Sequence, residues 1–82
     1  MSYSLLILPS ATRQLSALPA DVYAQVRDRI RTLAVDPVPS ESRKIEGRNG
    51  WRLQLGDFRV IYEVDRPAGR VTVLDVSRRS DV

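Results

Sequence analysis

The 82-residue chain contains neither cysteine nor histidine. Without cysteine it can form no disulfide and no thiolate metal site. No apolar run approaches the roughly 20 residues of a membrane-spanning helix, and residues 1–4 lack the basic and apolar segments of a signal peptide. We therefore expect one domain over residues 1–82, acting in the cytoplasm with no membrane, metal or cofactor.

Lysine is also nearly absent, because Lys44 is the single lysine among 13 basic residues and the others are arginine. Residues 1–42 are neutral, with four arginines and four acids, whereas residues 43–82 hold nine bases and six acids. Arginine offers a planar, bidentate group that suits phosphate. A GC-rich genome would enrich arginine whatever the function, so composition alone leaves both explanations open.

The first half of the chain predicts a strand followed by two helices. Residues 4–8 are apolar on both faces and indicate a buried strand that Pro9 ends. Ser10 is a candidate cap for a short helix, and Pro19 suits the first turn of a second one. Helical spacing gives the two helices apolar stripes, formed by Ala11, Leu15 and Leu18 and by Val22, Val26, Ile30 and Leu33.

The second half predicts a loop and three strands. Residues 36–50, with their prolines, glycines and asparagine, indicate a loop that carries Arg43, Lys44, Glu46 and Arg48. Residues 51–55 and 58–64 alternate between apolar and polar, apart from Ile61, around a two-residue turn, which is typical of a β-hairpin. A fourth strand follows at residues 70–76. We therefore predict an α+β fold, with a helical hairpin packed on one face of a four-stranded, mainly antiparallel sheet.

A two-residue turn at residues 56–57 fixes the register of the predicted hairpin. One face then carries only large apolar side chains, in the opposed pairs Leu55–Phe58, Leu53–Val60 and Trp51–Tyr62. On the other face Gln54 opposes Arg59 and Arg52 opposes Ile61, which makes Arg52 and Arg59 diagonal neighbours about 7–8 Å apart at the backbone. Two cations this close are within reach of one phosphodiester.

A simpler interpretation of these charges stays open. Arg52 and Arg59 can belong to a solvated outer face on which Glu63 is the counter-ion. Arg78 and Arg79 follow the last strand and would lie at the rim of the sheet, but a terminal arginine pair is equally typical of a solvated tail.

Residues 44–47 (KIEG), 51–64 (WRLQLGDFRVIYEV) and 73–79 (VLDVSRR) resemble the RelE/ParE toxin superfamily. The family pattern is a K-L-x-G loop, a W-R-x-R-x-G-D-Y-R-V-I-Y-x-V hairpin and a final strand ending V-x-H-R. This chain departs from it at Ile45, at Gln54, which replaces a frequently basic residue, at Phe58 and at Arg78. Together with the helical hairpin, the resemblance covers nearly the whole chain.

The resemblance implies a bacterial toxin bound and masked by a cognate antitoxin, in a hetero-oligomer. For the RelE branch it implies cleavage of messenger RNA on the ribosome. Catalytic positions carry over to Arg52, Arg59, Arg79 and Lys44, and we expect four further residues to contact RNA: Arg43, Arg48, Gln54 and Arg78.

Metal-free RNA cleavage needs a base for the 2′-hydroxyl, cations for the pentavalent phosphate and an acid for the leaving oxygen. Arginines serve the phosphate but stay protonated, so the candidate acid–base groups are Lys44, Glu46 and Glu63. Each has an ordinary surface role as an alternative. Three functions therefore remain: a ribosome-dependent endonuclease, a gyrase inhibitor of the same fold, and a protein that only binds its antitoxin or RNA.

Overall fold

The structure is a computed structural model that describes residues 2–45 and 49–78. Within these ranges no helix has the length and apolar content that crossing a membrane requires. The elements, in chain order, are β1 Ser4–Ile7, α1 Pro9–Ser16, α2 Ala20–Thr32, β2 Ser42–Lys44, β3 Gly50–Leu55, β4 Phe58–Asp65 and β5 Arg70–Arg78.

All the strands form one sheet in the order β1-β5-β4-β3-β2, in which β1 is parallel to β5 and the other neighbours are antiparallel. The predicted α+β class is confirmed, with both helices packed on one face. The strand number was wrong, because the sheet has five strands and not four. The prediction missed β2 within the supposed loop 36–50, since three polar residues at a sheet edge show no apolar alternation.

The first strand is an edge strand, not the strand buried on both faces that its apolar run predicted. Leu5 and Ile7 pair with Val71 and Val73 of β5 and face the core. Leu6 points to the opposite face, where no helix covers it, and is 48% exposed. A run without alternation cannot tell a buried strand from an edge strand, because the difference depends on what packs against it.

The two helices begin at prolines or beside them. Pro9 lies in the first turn of α1, where its missing N–H costs no hydrogen bond. Ser10 is therefore inside the helix and not its cap, and the cap residue, Leu8, makes no side-chain cap hydrogen bond. Helix α2 follows Pro19 at its N-cap. Their buried faces carry four of the predicted apolar positions, Ala11, Leu15, Val26 and Ile30.

A register shift interrupts the pairing of β4 with β5. Ile61 pairs with Asp75 but Tyr62 pairs with Val73, so one extra residue of β5 bulges between them. The shift lets Asp75 reach the helical layer, where its Oδ1 accepts a hydrogen bond of 2.8 Å from Gln14 Nε2. The Oε1 of Gln14 accepts the Val76 N–H at 2.9 Å. These two bonds fix α1 to the last strand.

Tyr62 lies at the centre of the core and is fully buried. Its hydroxyl donates a hydrogen bond of 2.8 Å to the carbonyl oxygen of Pro37. Nearby, the Ser42 hydroxyl donates to the Pro39 carbonyl at 2.7 Å. The connection from α2 to β2 is thus tied to the sheet by hydrogen bonds, which positions the edge strand β2.

Candidate functional site

The hairpin β3–β4 has the predicted register and separates its side chains by face. Leu55 pairs with Phe58, Leu53 with Val60 and Trp51 with Tyr62 on the helical side. Gly56 has a φ of +59° and no other residue of the turn has positive φ, which is the arrangement of a type II′ turn. The opposite side of the sheet, here called the open face, carries no helix.

Three arginines on three adjacent strands share the open face. Arg52 opposes Ile61 and Gln54 opposes Arg59, so Arg52 and Arg59 are the predicted diagonal neighbours. Arg43 of β2 lies directly opposite Arg52. Its place could not be predicted, because β2 was interpreted as loop. Like charges in direct opposition destabilise a sheet, so this arrangement needs an anion or solvent to offset it.

Arg59 is the most enclosed of these cations. It lies between Gln54 of β3 and Ser77 of β5, which oppose it on either side. Its Nε is buried and has no hydrogen-bond partner within the part of the chain that the structure describes. A buried donor without an acceptor is costly, and one on a guanidinium more so. An anionic oxygen held at this position would remove that cost.

Gln54 and Arg43 have their own partners within the protein. Gln54 Nε2 donates to the carbonyl oxygens of Gly56 at 2.9 Å and Phe58 at 3.4 Å, so its amide braces the hairpin turn. Arg43 Nη1 donates to the carbonyl oxygens of Ser40 and Ser42 at 3.1 and 3.0 Å. Both side chains therefore reach the open face from positions fixed by the backbone.

Lys44 lies on the other side of the sheet from Arg52 and Arg59. It opposes Trp51, which faces the helices, and its Nζ is 5.1 Å from the centre of the indole ring. Strand alternation places Arg43 and Lys44 on opposite faces, which a loop interpretation could not reveal. The structure thus does not bring Lys44 together with the arginines that were predicted to share its site.

Arg78 is also on the helical side. It belongs to β5, which runs two residues beyond its predicted end, and it opposes Phe58. Its guanidinium carbon is 5.0 Å from the centre of the Phe58 ring, within range of a cation–π interaction. Its predicted neighbour Arg79 and the loop residues Arg48 and Glu46 lie outside the described residues.

Glu63 lies on the open face two residues beyond Ile61, diagonal to Arg52 on the side away from Arg59. No ion pair within 4.0 Å joins it to an arginine among the residues that the structure describes. Glu63 therefore does not form the expected ion pair with Arg52 or Arg59. Within the same residues, no three acidic side chains are grouped so that they could hold a metal ion.

The fold, with its helical layer on one face and arginines on the other, is that of a known family of toxins. The family model for the ParE toxin of type II toxin–antitoxin systems matches residues 5–82. The chain therefore belongs to the ParE toxin family, within the RelE/ParE superfamily. Comparison with curated protein sequences gives no significant match.

Solved structures of RelE proteins are similar over the whole chain. RelE in the RelE–RelB complex of Pyrococcus horikoshii is 30% identical, with a TM-score of 0.88 and coverage of 100% of both chains. The toxin–antitoxin complex RelBE2 of Mycobacterium tuberculosis gives 23% identity, a TM-score of 0.83 and coverage of 96% and 100%. The E. coli RelBE complex gives 21% identity, a TM-score of 0.81 and coverage of 94% and 96%.

Proposed function

We propose that this toxin cleaves messenger RNA on the ribosome and that it holds the scissile phosphate on its open face. The observation that carries the proposal is the diagonal placement of Arg52 beside Arg59 on the open face. The buried Nε of Arg59 has no hydrogen-bond partner among the described residues. A phosphate oxygen is an acceptor of the right charge for both guanidinium groups.

In such a reaction the 2′-hydroxyl attacks the neighbouring phosphorus, and the 5′ oxygen of the next nucleotide leaves. Negative charge rises on the non-bridging oxygens as the pentavalent phosphate forms. Arg52 and Arg59 bind these oxygens more strongly in that state than in the substrate, which lowers the barrier. Arg79 is the third cation that we propose for this phosphate, from its position after the last strand.

The isolated chain has few groups that could carry out the proton transfers of this reaction. The sequence has no histidine, and the guanidinium groups stay protonated. Lys44 faces away from the arginine pair, over the Trp51 ring. We therefore expect cleavage to be weak with free RNA and to depend on groups that the ribosome contributes, which places the activity in the cytoplasm.

We also propose that a cognate antitoxin binds the chain and masks the open face. The P. horikoshii relative, at 30% identity over its full length, is a RelE solved together with RelB. The net charge of +3 comes from residues 43–82, which contain the open-face arginines. An acidic segment of the partner would complement this charge.

Gyrase inhibition is the second candidate, favoured by the match to the ParE family model. The arginine pair argues for the nuclease, since a gyrase inhibitor has no need to assemble phosphate ligands on this face. A folded member that only binds its antitoxin or RNA is the third.

Two parallel assays separate these functions. Primer extension on mRNA from translating ribosomes should show new 5′ ends within codons for the wild type and lose them for Arg59→Ala. Arg13→Ala is the matched control, because Arg13 lies on α1 and is exposed. Intact mRNA together with inhibited gyrase supercoiling would replace the nuclease proposal with the gyrase one. No effect in either assay would leave only the binding function.

A further inference from the structure

Arg43 differs from an ordinary surface arginine because the backbone around it holds its side chain. Its Nη1 donates hydrogen bonds to the carbonyl oxygens of Ser40 and Ser42. This segment is itself fixed, since the Ser42 N–H donates to the Pro39 carbonyl at 2.9 Å and the Glu41 side chain forms an ion pair with α2. The guanidinium is therefore oriented before a ligand arrives, and less conformational entropy is lost when one binds.

The anchored nitrogen leaves one edge of the Arg43 guanidinium available. Nη1 has two N–H groups, which matches its two carbonyl partners. Nε and Nη2 donate to no residue that the structure describes, and neither forms an ion pair there. These two nitrogens carry the parallel pair of N–H groups that binds a phosphate in bidentate geometry.

Arg43 extends the arginine pair across the sheet. Strand β2 lies two strands from β4, so Arg43 and Arg59 are at least about 10 Å apart at the backbone, with Arg52 between them. The bond to Ser40 draws the Arg43 guanidinium toward the start of β2, which is the end nearer the hairpin turn and the row of Arg59. This span suits two neighbouring phosphates of one RNA strand better than it suits a single phosphate.

We propose that Arg43 binds the phosphate next to the scissile one, so that the RNA strand crosses the sheet from β4 toward β2. Arg52 and Arg59 then bind the scissile phosphate, and the Nε–Nη2 edge of Arg43 binds its neighbour. A contact with a backbone phosphate positions a nucleic acid without reading its sequence. Arg43 therefore holds any mRNA in register over the arginine pair. This inference rests on the proposed nuclease function.

The first test is cleavage on programmed ribosomes, where the reading frame fixes the position of the RNA. The phosphate on either side of the cut is replaced in turn by an uncharged methylphosphonate. One of the two replacements should slow the wild type roughly tenfold to a hundredfold, as expected for loss of a charge-assisted hydrogen bond. Arg43→Ala should be equally slow on native mRNA and no slower after that replacement. A wild type insensitive to both replacements, or an Arg43→Ala variant that keeps the full effect, would overturn the inference.

Two further variants separate the phosphate contact from other effects of the substitution. Arg43→Gln removes the charge but keeps a donor for the Ser40 carbonyl, and it should lose as much activity as Arg43→Ala. A wild-type rate in Arg43→Gln would mean that Arg43 only stabilises β2. Arg70→Ala removes the same charge from the open face about 20 Å from Arg59, because Arg70 opposes Asp65, six residues along β4. It should keep both the wild-type rate and the sensitivity to methylphosphonate.

A binding assay distinguishes failure of this inference from failure of the nuclease proposal. A dinucleotide with one phosphate and a trinucleotide with two, both 2′-O-methylated to prevent cleavage, are titrated against the chain by fluorescence anisotropy. The trinucleotide should bind the wild type at least roughly tenfold more tightly, and Arg43→Ala should lose this advantage. Equal binding of the two, or an advantage kept in Arg43→Ala, would overturn the inference even if mRNA is cleaved. The expected binding without any cleavage of mRNA would overturn the nuclease proposal alone.

Discussion

The hydroxyl of Tyr62 donates a hydrogen bond of 2.8 Å to the carbonyl oxygen of Pro37, which joins the central strand β4 to the segment that follows α2. Tyr62→Phe removes the donor and leaves a buried carbonyl without its partner. We expect the free energy of unfolding to fall by about 1–3 kcal/mol, measured by urea denaturation. Tyr3→Phe is the control, since its hydroxyl accepts a long, exposed hydrogen bond of 3.4 Å from Arg66 and its loss should cost little.

The same tyrosine should make stability depend on alkaline pH. Burial raises the pKa of the Tyr62 hydroxyl above its ordinary value of 10.0, against a smaller lowering by the neighbouring Ser42 side chain. Above pH 10.0 the unfolded chain releases this proton while the folded chain keeps it, so unfolding is favoured as pH rises. The wild type should lose stability faster than Tyr62→Phe, by up to about 1.4 kcal/mol per pH unit. If the stabilities of the two proteins fall in parallel as the pH is raised, the linkage is contradicted.

Trp51 and Tyr62 oppose each other but should respond differently to truncation. Tyr62 is fully buried, and Tyr62→Ala should cost on the order of 3–5 kcal/mol, comparable to the whole stability of so small a domain. Trp51 is only partly buried, beneath Lys44. Trp51→Ala should therefore be less destabilising and still melt cooperatively, as followed by circular dichroism. A Trp51→Ala variant that is unfolded while Tyr62→Ala stays folded would reverse this assignment.

Arg59 should be the most sensitive position of the open face. Arg59→Ala should reduce mRNA cleavage by about 10²–10³ without loss of folding, because a transition-state donor is removed and no core cavity forms. Arg59→Lys should also be impaired, since an ammonium lacks the bidentate geometry. The effect of each substitution is measured as the rate of mRNA cleavage on programmed ribosomes. An unchanged circular dichroism spectrum shows that the variant is still folded. Full activity in Arg59→Ala would mean that the open-face arginines are only a solvated surface.

Arg78 has the same side chain as Arg59 but lies on the opposite face of the sheet, so the two positions can be compared. Because it lies over the Phe58 ring and not beside Arg59, Arg78→Ala should lose far less cleavage activity than Arg59→Ala. It should instead lower stability by about 0.5–1 kcal/mol, through loss of a cation–π contact. Equal loss of activity in the two variants would show that Arg78 reaches the substrate despite its register.

A side chain at the first position of the hairpin turn should strain the backbone and lower stability. Gly56 has a φ of +59°, and a Cβ added there would meet nothing within 4 Å, so any cost of Gly56→Ala is backbone strain and not a clash. We expect a loss of about 1–2 kcal/mol in denaturation experiments. Asp57→Ala is the control because Asp57 does not have positive φ. Equal stability of the two variants would contradict the turn assignment.

The hairpin, and with it the centre of the candidate site, follows from the amino-acid sequence alone. Alternation around a two-residue turn, broken only at Ile61, leaves one register, so the pattern is sufficient to place Arg52 and Arg59 on one face. The two helices are likewise encoded by apolar stripes of helical period. The motifs in residues 51–64 also carry the family resemblance, which the match over residues 5–82 confirms.

The division of the remaining charges between the two faces depends on tertiary pairing. Strand β2 is short and polar, and it forms because it pairs with the edge of β3. The local sequence pattern therefore does not predict that Arg43 and Lys44 lie on opposite faces of the sheet. The bulge opposite Ile61 and Tyr62 and the exposure of Leu6 likewise depend on pairing between distant segments. Local sequence fixes which residues share a face of one strand, but long-range pairing decides which strands stand side by side and which face the helices cover.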